Sequence, residues 1–214
     1  MSDNETLQSL SKADLIKIIN DLKGEVSKLN DDFYKVTNLR LYHLERSQNM
    51  FQQYNRRESF EISGIPQTVP IEKLEDEVID ICKEAKVFVN RQPIKKTDIV
   101  AVHRLADKKT TVVRVMNRKF SREALMCGKN LRDSKRYGDG NRIYINNSFC
   151  PEFRFLFYAI RKAAGKKEIN RWKIRNGILH IQKDVDGQFV EIGHVLDLEN
   201  LKISIPERRN QRRD

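Results

Sequence analysis

Basic side chains interleaved with a few aromatics are the residues best suited to chemistry in this chain, and that chemistry is electrostatic. Between residues 51 and 150 stand Arg56, Arg57, Arg104, Lys108, Lys109, Arg114, Arg118, Lys119 and Arg142, with Tyr144 just beyond the last of them. Guanidinium and ammonium groups grip phosphate oxygens whatever the base sequence. Arg154, Arg161, Lys162, Lys166 and Lys167 form a second basic group in the last third. Catalytic constellations are missing. His43, His103, His180 and His194 share no metal-ligand spacing with Cys82, Cys127 and Cys150, and there is no G-x-S-x-G, H-E-x-x-H or Gly-rich phosphate loop. The carboxylates of LEDEVID recur at helical spacing and read as a solvated face. The expectation is a protein that is not an enzyme, with no catalytic residue, no metal and no cofactor.

The charge count places the phosphate chemistry. Over 214 residues, 41 Lys+Arg stand against 30 Asp+Glu, a formal +11. Residues 1–50 hold 7 basic and 8 acidic side chains, residues 51–150 hold 20 and 13, and residues 151–214 hold 14 and 9. The whole surplus therefore lies beyond residue 50, and an acidic partner is expected there. A hydrophobic fraction of 39% is too high for wholesale disorder. No run of eighteen apolar residues exists, and MSDNETLQSL lacks the apolar core of a secretory signal, so no membrane partner is expected. Three widely spaced cysteines point to a reducing compartment.

Three groups of elements must position these side chains. In the first, Leu15, Ile19, Leu22, Val26, Leu29, Phe33 and Val36 alternate spacings of four and three, a heptad seam with Ile19, Val26 and Phe33 at a. Ser11-Lys12-Ala13-Asp14 reads as a capping box, with Leu10 and Leu15 placed for a hydrophobic staple. A helix from Ser11 to about Tyr54 would be roughly 65 Å long at about 1.5 Å per residue, with no core of its own. Residues 1–56 are thus expected to form a parallel coiled coil of identical chains. β-branched a positions with Leu at d favour a dimer. Arg40, Leu41, Leu44 and Glu45 instead match the R-h-x-x-h-E pattern of parallel three-stranded coils, where Arg and Glu pair between chains. That pattern tips the expectation narrowly to a trimer.

The second group, 57–147, alternates like strands and helices in the order βαββαβ. FEIS at 60–63 is followed by the break Gly64-Ile65-Pro66, and residues 71–86 put Ile71, Leu74, Val78, Ile81, Cys82 and Ala85 on one helical face. IVAVHRL at 99–105 and TTVVRV at 110–115 read as a hairpin across Asp107-Lys108-Lys109. A helix over 118–131 turns Phe120, Ala124, Leu125 and Leu131 inward, and Arg142–Ile145 forms the last strand after Tyr137-Gly138-Asp139-Gly140. The expected class is α+β, with a ferredoxin-like, RNA-recognition-type sheet under two helices. Base stacking on such a sheet needs aromatics on the open face of its first and third strands. Here Glu61 stands where the first aromatic belongs, and the third strand offers Thr110, Val112 and Arg114. Only Tyr144 remains for a base, so backbone contact is the favoured chemistry.

The third group, 148–203, is expected to be a small α+β domain. Pro151 opens a helix whose Phe153, Phe157 and Ile160 face a core. Trp172–Arg175 and Ile178–Ile181 flank Asn176-Gly177, a strong hairpin signal. Asp186-Gly187 turns into Phe189–Ile192, and Leu196, Leu198 and Leu201 suggest a closing helix. Residues 204–214 are a basic tail.

The order of these parts carries a resemblance. A heptad helix runs into Tyr54-Asn55-Arg56-Arg57, then FEISGIP, His103-Arg104-Leu105, Ile143-Tyr144-Ile145-Asn146, Pro151-Glu152 and Trp172-Lys173-Ile174-Arg175-Asn176-Gly177. Over residues 11–203 this resembles the first-open-reading-frame proteins of LINE-type non-LTR retrotransposons. The C-terminal third is similar to the baculovirus few-polyhedra protein family. The resemblance implies coiled-coil oligomers that clamp single-stranded RNA or DNA and act as nucleic-acid chaperones without a small-molecule substrate. It assigns phosphate contacts to Arg56, Arg57, Arg104, Arg114 and Arg142, and to Arg161, Lys162, Lys173 and Arg175 in the C-terminal module. Cys150 departs from the better helix cap, such as Thr, found in relatives. The expected setting is a ribonucleoprotein of the cytoplasm, with the nucleus as a second compartment. The competing expectation is a coiled-coil interaction or viral accessory protein of few-polyhedra type without direct nucleic-acid binding.

Overall fold

The computed structural model describes residues 11–106, 109–138 and 141–208, and these divide into two compact units, one ending at Glu45 and one starting at Arg46. The helix α1 (Lys12–Tyr54) begins where the capping box predicts. Asp14 N–H donates to Ser11 Oγ at 3.2 Å, and Ser11 N–H donates back to Asp14 Oδ2 at 3.2 Å. Leu10 lies outside the described residues. Within the first unit the predicted seam is uncovered: Leu22 is 53% exposed, Leu29 69% and Phe33 67%.

The second unit is mixed α+β with antiparallel sheets and two hydrophobic clusters. The larger sheet contains β1 (Ser59–Ser63), β4 (Ile99–Arg104), β5 (Thr110–Val115) and β6 (Tyr144–Asn147), in the order β4-β5-β1-β6. Phe60 pairs with Val113 on one side and Asn147 on the other, which sets the faces. Phe60, Ile62, Val113 and Val115 point to one side, where they bury Leu74, Val78, Ile81 and Cys82 of α2 (Leu74–Glu84) and Phe120 and Ala124 of α3 (Arg118–Cys127). Burial raises the Cys82 thiol to about 12, so it stays protonated in the core.

Three local expectations change. Ile71 is exposed, because residues 71–73 form a 3₁₀ turn whose different period takes it off the apolar face of α2. The last strand is shifted two residues, to Tyr144–Asn147. A short hairpin of β2 (Phe88–Val89) and β3 (Gln92–Pro93) turns through Asn90 and Arg91, both at positive φ, a turn hidden by the absence of glycine.

The second cluster belongs to α4 (Pro151–Gly165), β7 (Arg171–Arg175), β8 (Ile178–Gln182), β9 (Val190–Ile192) and α5 (Val195–Asn200). Phe153, Leu156 and Ile160 of α4 pack on Leu179, Ile181 and Ile192 of the sheet β7-β8-β9. The predicted Asn176-Gly177 turn has both residues at positive φ, as a type I′ hairpin demands. The last turns of α1 join this module. Gln53 is buried; its Nε2 donates to Ser148 O at 3.1 Å, and its Oε1 accepts from Cys150 N–H at 3.0 Å. A side chain from α1 thus satisfies the backbone at the N-cap of α4, where Cys150 itself makes no capping bond. Gly193 allows the approach, since a Cβ there would lie 2.9 Å from Met50 Sδ.

One latch closes the loop after α3. Arg136 pairs with Glu77, at 3.6 Å with Asp80 and at 3.6 Å with Glu84, and Tyr137 donates its hydroxyl to Glu77. The Arg136 hydrogen bond, opposed by burial, holds the Glu77 carboxyl below its usual value. A depressed carboxylate stabilises the fold above the ordinary pKa and loses that contribution as pH falls through the folded value. Glu77→Gln is therefore expected to flatten the acid limb of stability, read by urea unfolding between about pH 3 and 7. An unchanged acid limb would show that the latch does not contribute.

Candidate nucleic-acid interface

Carboxylates decide which cations are available. In the second unit Glu61 takes Arg154 at 2.8 Å, Glu191 and Asp197 take Arg46 at 3.3 and 3.2 Å, and Glu152 takes Arg208 at 2.6 Å. With Glu77, Asp80 and Glu84 held by Arg136, much of the acidic complement faces internal partners. By contrast Arg57, Arg114, Arg118, Arg142, Arg161, Lys162, Lys173 and Arg175 have no ion-pair partner among the described residues. An unneutralised cation at the surface is free to exchange water for a phosphate oxygen.

Two of the predicted cations have structural positions. Arg104 donates to the carbonyls of Ile65, Pro66 and Val69 at 3.1, 2.7 and 3.3 Å, closing the loop between β1 and α2. Arg56 is half-buried and donates to Ser148 Oγ at 3.4 Å. Lys109 is exposed, and Lys108 lies outside the described residues.

The sheet face away from the helices is partly covered. Register puts Asn146, Glu61, Val112 and His103 in one row across it. Glu61 is 8% exposed and Val112 6%. Glu61 Oε1 accepts from Arg154 Nη2 at 2.8 Å and from Ser148 Oγ at 3.3 Å. Glu61 is therefore an internal ion-pair anchor. Arg114 and Tyr144 remain exposed on the same face.

Aromatic surface is supplied elsewhere, by rings for which the sequence predicts no binding role. Arg57 lies 3.3 Å from the centroid of the Tyr54 ring, Lys173 Nζ 3.5 Å from Phe189, and Lys162 Nζ 5.3 Å from Tyr158. Trp172 meets Phe157 edge to face at 5.4 Å, and Arg161 stands 5.8 Å from that Phe157 ring. Tyr54, Tyr158, Trp172 and Phe189 are each at least 37% exposed. Cation-backed, solvent-facing rings suit base stacking without sequence preference. The available signal was the alternation of basic and aromatic residues in RWKIR and FRFLFYAIRK.

The predicted oligomerisation residues Leu15, Ile19, Leu22, Val26, Leu29, Phe33, Val36, Leu41 and Leu44 are all exposed in the single chain. Arg40 has no partner among the described residues. No group of three or more His, Cys, Asp or Glu could hold a metal ion among the described residues, and no helix there is long and apolar enough to cross a membrane. Compared with known families and with curated proteins, the chain matches none.

Proposed function

We propose that this protein is an oligomeric, sequence-tolerant binder of single-stranded RNA or DNA, a nucleic-acid chaperone of retrotransposon type and not an enzyme. α1 associates as a parallel coiled coil, a trimer in preference to a dimer. The sheet β4-β5-β1-β6 under α2 and α3 serves as an RNA-recognition-type domain, and the strand order and pairing support that reading. The observation that carries the function is the set of unpaired cations on both modules beside exposed aromatics, while several carboxylates are held by partners within the chain. Phosphates bind Arg57, Arg114, Arg118, Arg142, Arg161, Lys162, Lys173 and Arg175, and bases stack on Tyr54, Tyr158, Trp172 and Phe189.

Salt titration with a 30-nucleotide strand tests the reading. Each single-strand phosphate contact adds about −0.7 to the slope of log K against log salt, so the eight cations named predict a slope of about −6 per chain. A slope near zero would sink the proposal. Charge reversal belongs at Arg114 and not at Arg104, whose loss would loosen the β1–α2 loop as well as remove charge. Arg114→Glu is expected to weaken binding for every strand sequence tried. Unchanged binding would leave the few-polyhedra-type interaction role.

A further inference from the structure

We propose that a cleft at the outer edge of β6 is a site for one nucleotide bearing a terminal phosphate, the phosphate held by Arg132 and Arg142 and the base laid on Tyr144. The cleft has a volume of about 270 Å³ and lies between β6 and the 3₁₀ turn Gly128–Leu131. That is just under the range of pockets that enclose small-molecule ligands, so it admits at most a single nucleotide and not a run of bases. Gly128 lets the turn come close, since a Cβ there would stand 3.1 Å from Ile145 Cβ. Ile143 and Ile145 line it, and so does Tyr144, which is 51% exposed and reaches the edge of β6 from the open sheet face.

The charge selects the ligand. Lys129, Arg132 and Arg142 line the cleft, and none has an ion-pair partner among the described residues. Asp133 lines the adjoining depression and not the cleft. A phosphodiester brings one negative charge to three cations, whereas a phosphate monoester brings about −1.5 to −2 at neutral pH. Arginine also offers paired donors matched to the extra terminal oxygen. The ligand is therefore a nucleotide monoester, from the phosphorylated end of a strand or from a free nucleoside monophosphate. The strand-end source rests on the strand-binding reading above.

The test uses the full chain and labelled 12-nucleotide strands carrying a 5′-phosphate, a 3′-phosphate or neither, followed by fluorescence anisotropy with adenosine monophosphate as competitor. One phosphorylated end is expected to bind about tenfold tighter than the hydroxyl strand, as one added charge-assisted contact would give. The readout is this ratio, which Arg132→Ala and, separately, Tyr144→Leu should bring towards one; both side chains are exposed, so folding is not at stake. Competition by the monophosphate identifies a site open to the free nucleotide, and its failure with the ratio intact identifies the strand end alone. Equal binding of all three strands without competition overturns the cleft while leaving strand binding in place. Binding of the monophosphate with no strand binding keeps the cleft and overturns the strand reading.

Discussion

Replacing Leu22 and Leu29 by glutamine is expected to turn the chain into a monomer and weaken binding to a 30-nucleotide strand by about 10²–10⁴-fold. Neither substitution alters charge, and glutamine keeps helix propensity close to that of leucine. Residues 1–50 carry no surplus positive charge, so loss of phosphate contacts by the first segment would not explain the effect. Both leucines sit at d positions of the proposed coil and are more than half exposed in the single chain. Left in water, such a stripe is covered most economically by a second copy of itself. Linking two or three modest basic clamps converts later binding steps into intramolecular ones, with local concentrations set by the tether. Sedimentation equilibrium and strand titration on the same samples check the two halves. A monomeric variant that binds as tightly as the parent would refute the avidity mechanism; a variant still oligomeric would refute the seam.

Asp197→Ala is expected to destabilise the C-terminal module by about 3 kcal/mol. Asp197 is 8% exposed, and its Oδ2 accepts from the Gly193 N–H at 2.8 Å, the His194 N–H at 3.0 Å and Arg46 Nε at 3.2 Å. Truncation leaves two buried backbone donors without an acceptor and removes the partner that draws the last turns of α1 onto α5. Arg46 keeps Glu191 at 3.3 Å, which bounds the loss. Asp197→Asn retains an acceptor but not the charge, so three charge-assisted bonds become neutral, and it should cost about 2 kcal/mol, less than the alanine variant. Urea unfolding followed at Trp172, the chain's single tryptophan, reads both. A loss under about 0.5 kcal/mol for the alanine variant would show that this carboxylate is not the anchor.

Much of the local structure was legible from spacing. The reciprocal Ser11 and Asp14 bonds, the Asn176-Gly177 turn, Pro151 at the start of α4 and the strand 110–115 all follow from short-range rules, because the groups that satisfy one another are neighbours in the chain. Periodicity fails where a 3₁₀ turn changes the repeat, as at Ile71. The hairpin Phe88–Pro93 escaped because Asn90 and Arg91 carry the positive φ that glycine usually marks.

The sequence by itself determined the placement of the charge surplus beyond residue 50, the apolar seam of the first segment and the α+β character of the rest. These are properties of composition and period, and they need no knowledge of distant contacts. Only the tertiary structure decided which charges are spent internally. Glu61 and Arg154 are 93 residues apart, Arg46 and Asp197 are 151, and Arg104 meets carbonyls nearly forty residues away. No linear rule pairs such residues, because their proximity follows from the packing of whole elements. The same packing gathers Lys129, Arg132, Arg142 and Tyr144 around one cleft. The +11 read from the sequence thus became a smaller set of unpaired cations with defined aromatic neighbours, since a charge acts on a partner only when the fold leaves it unpaired.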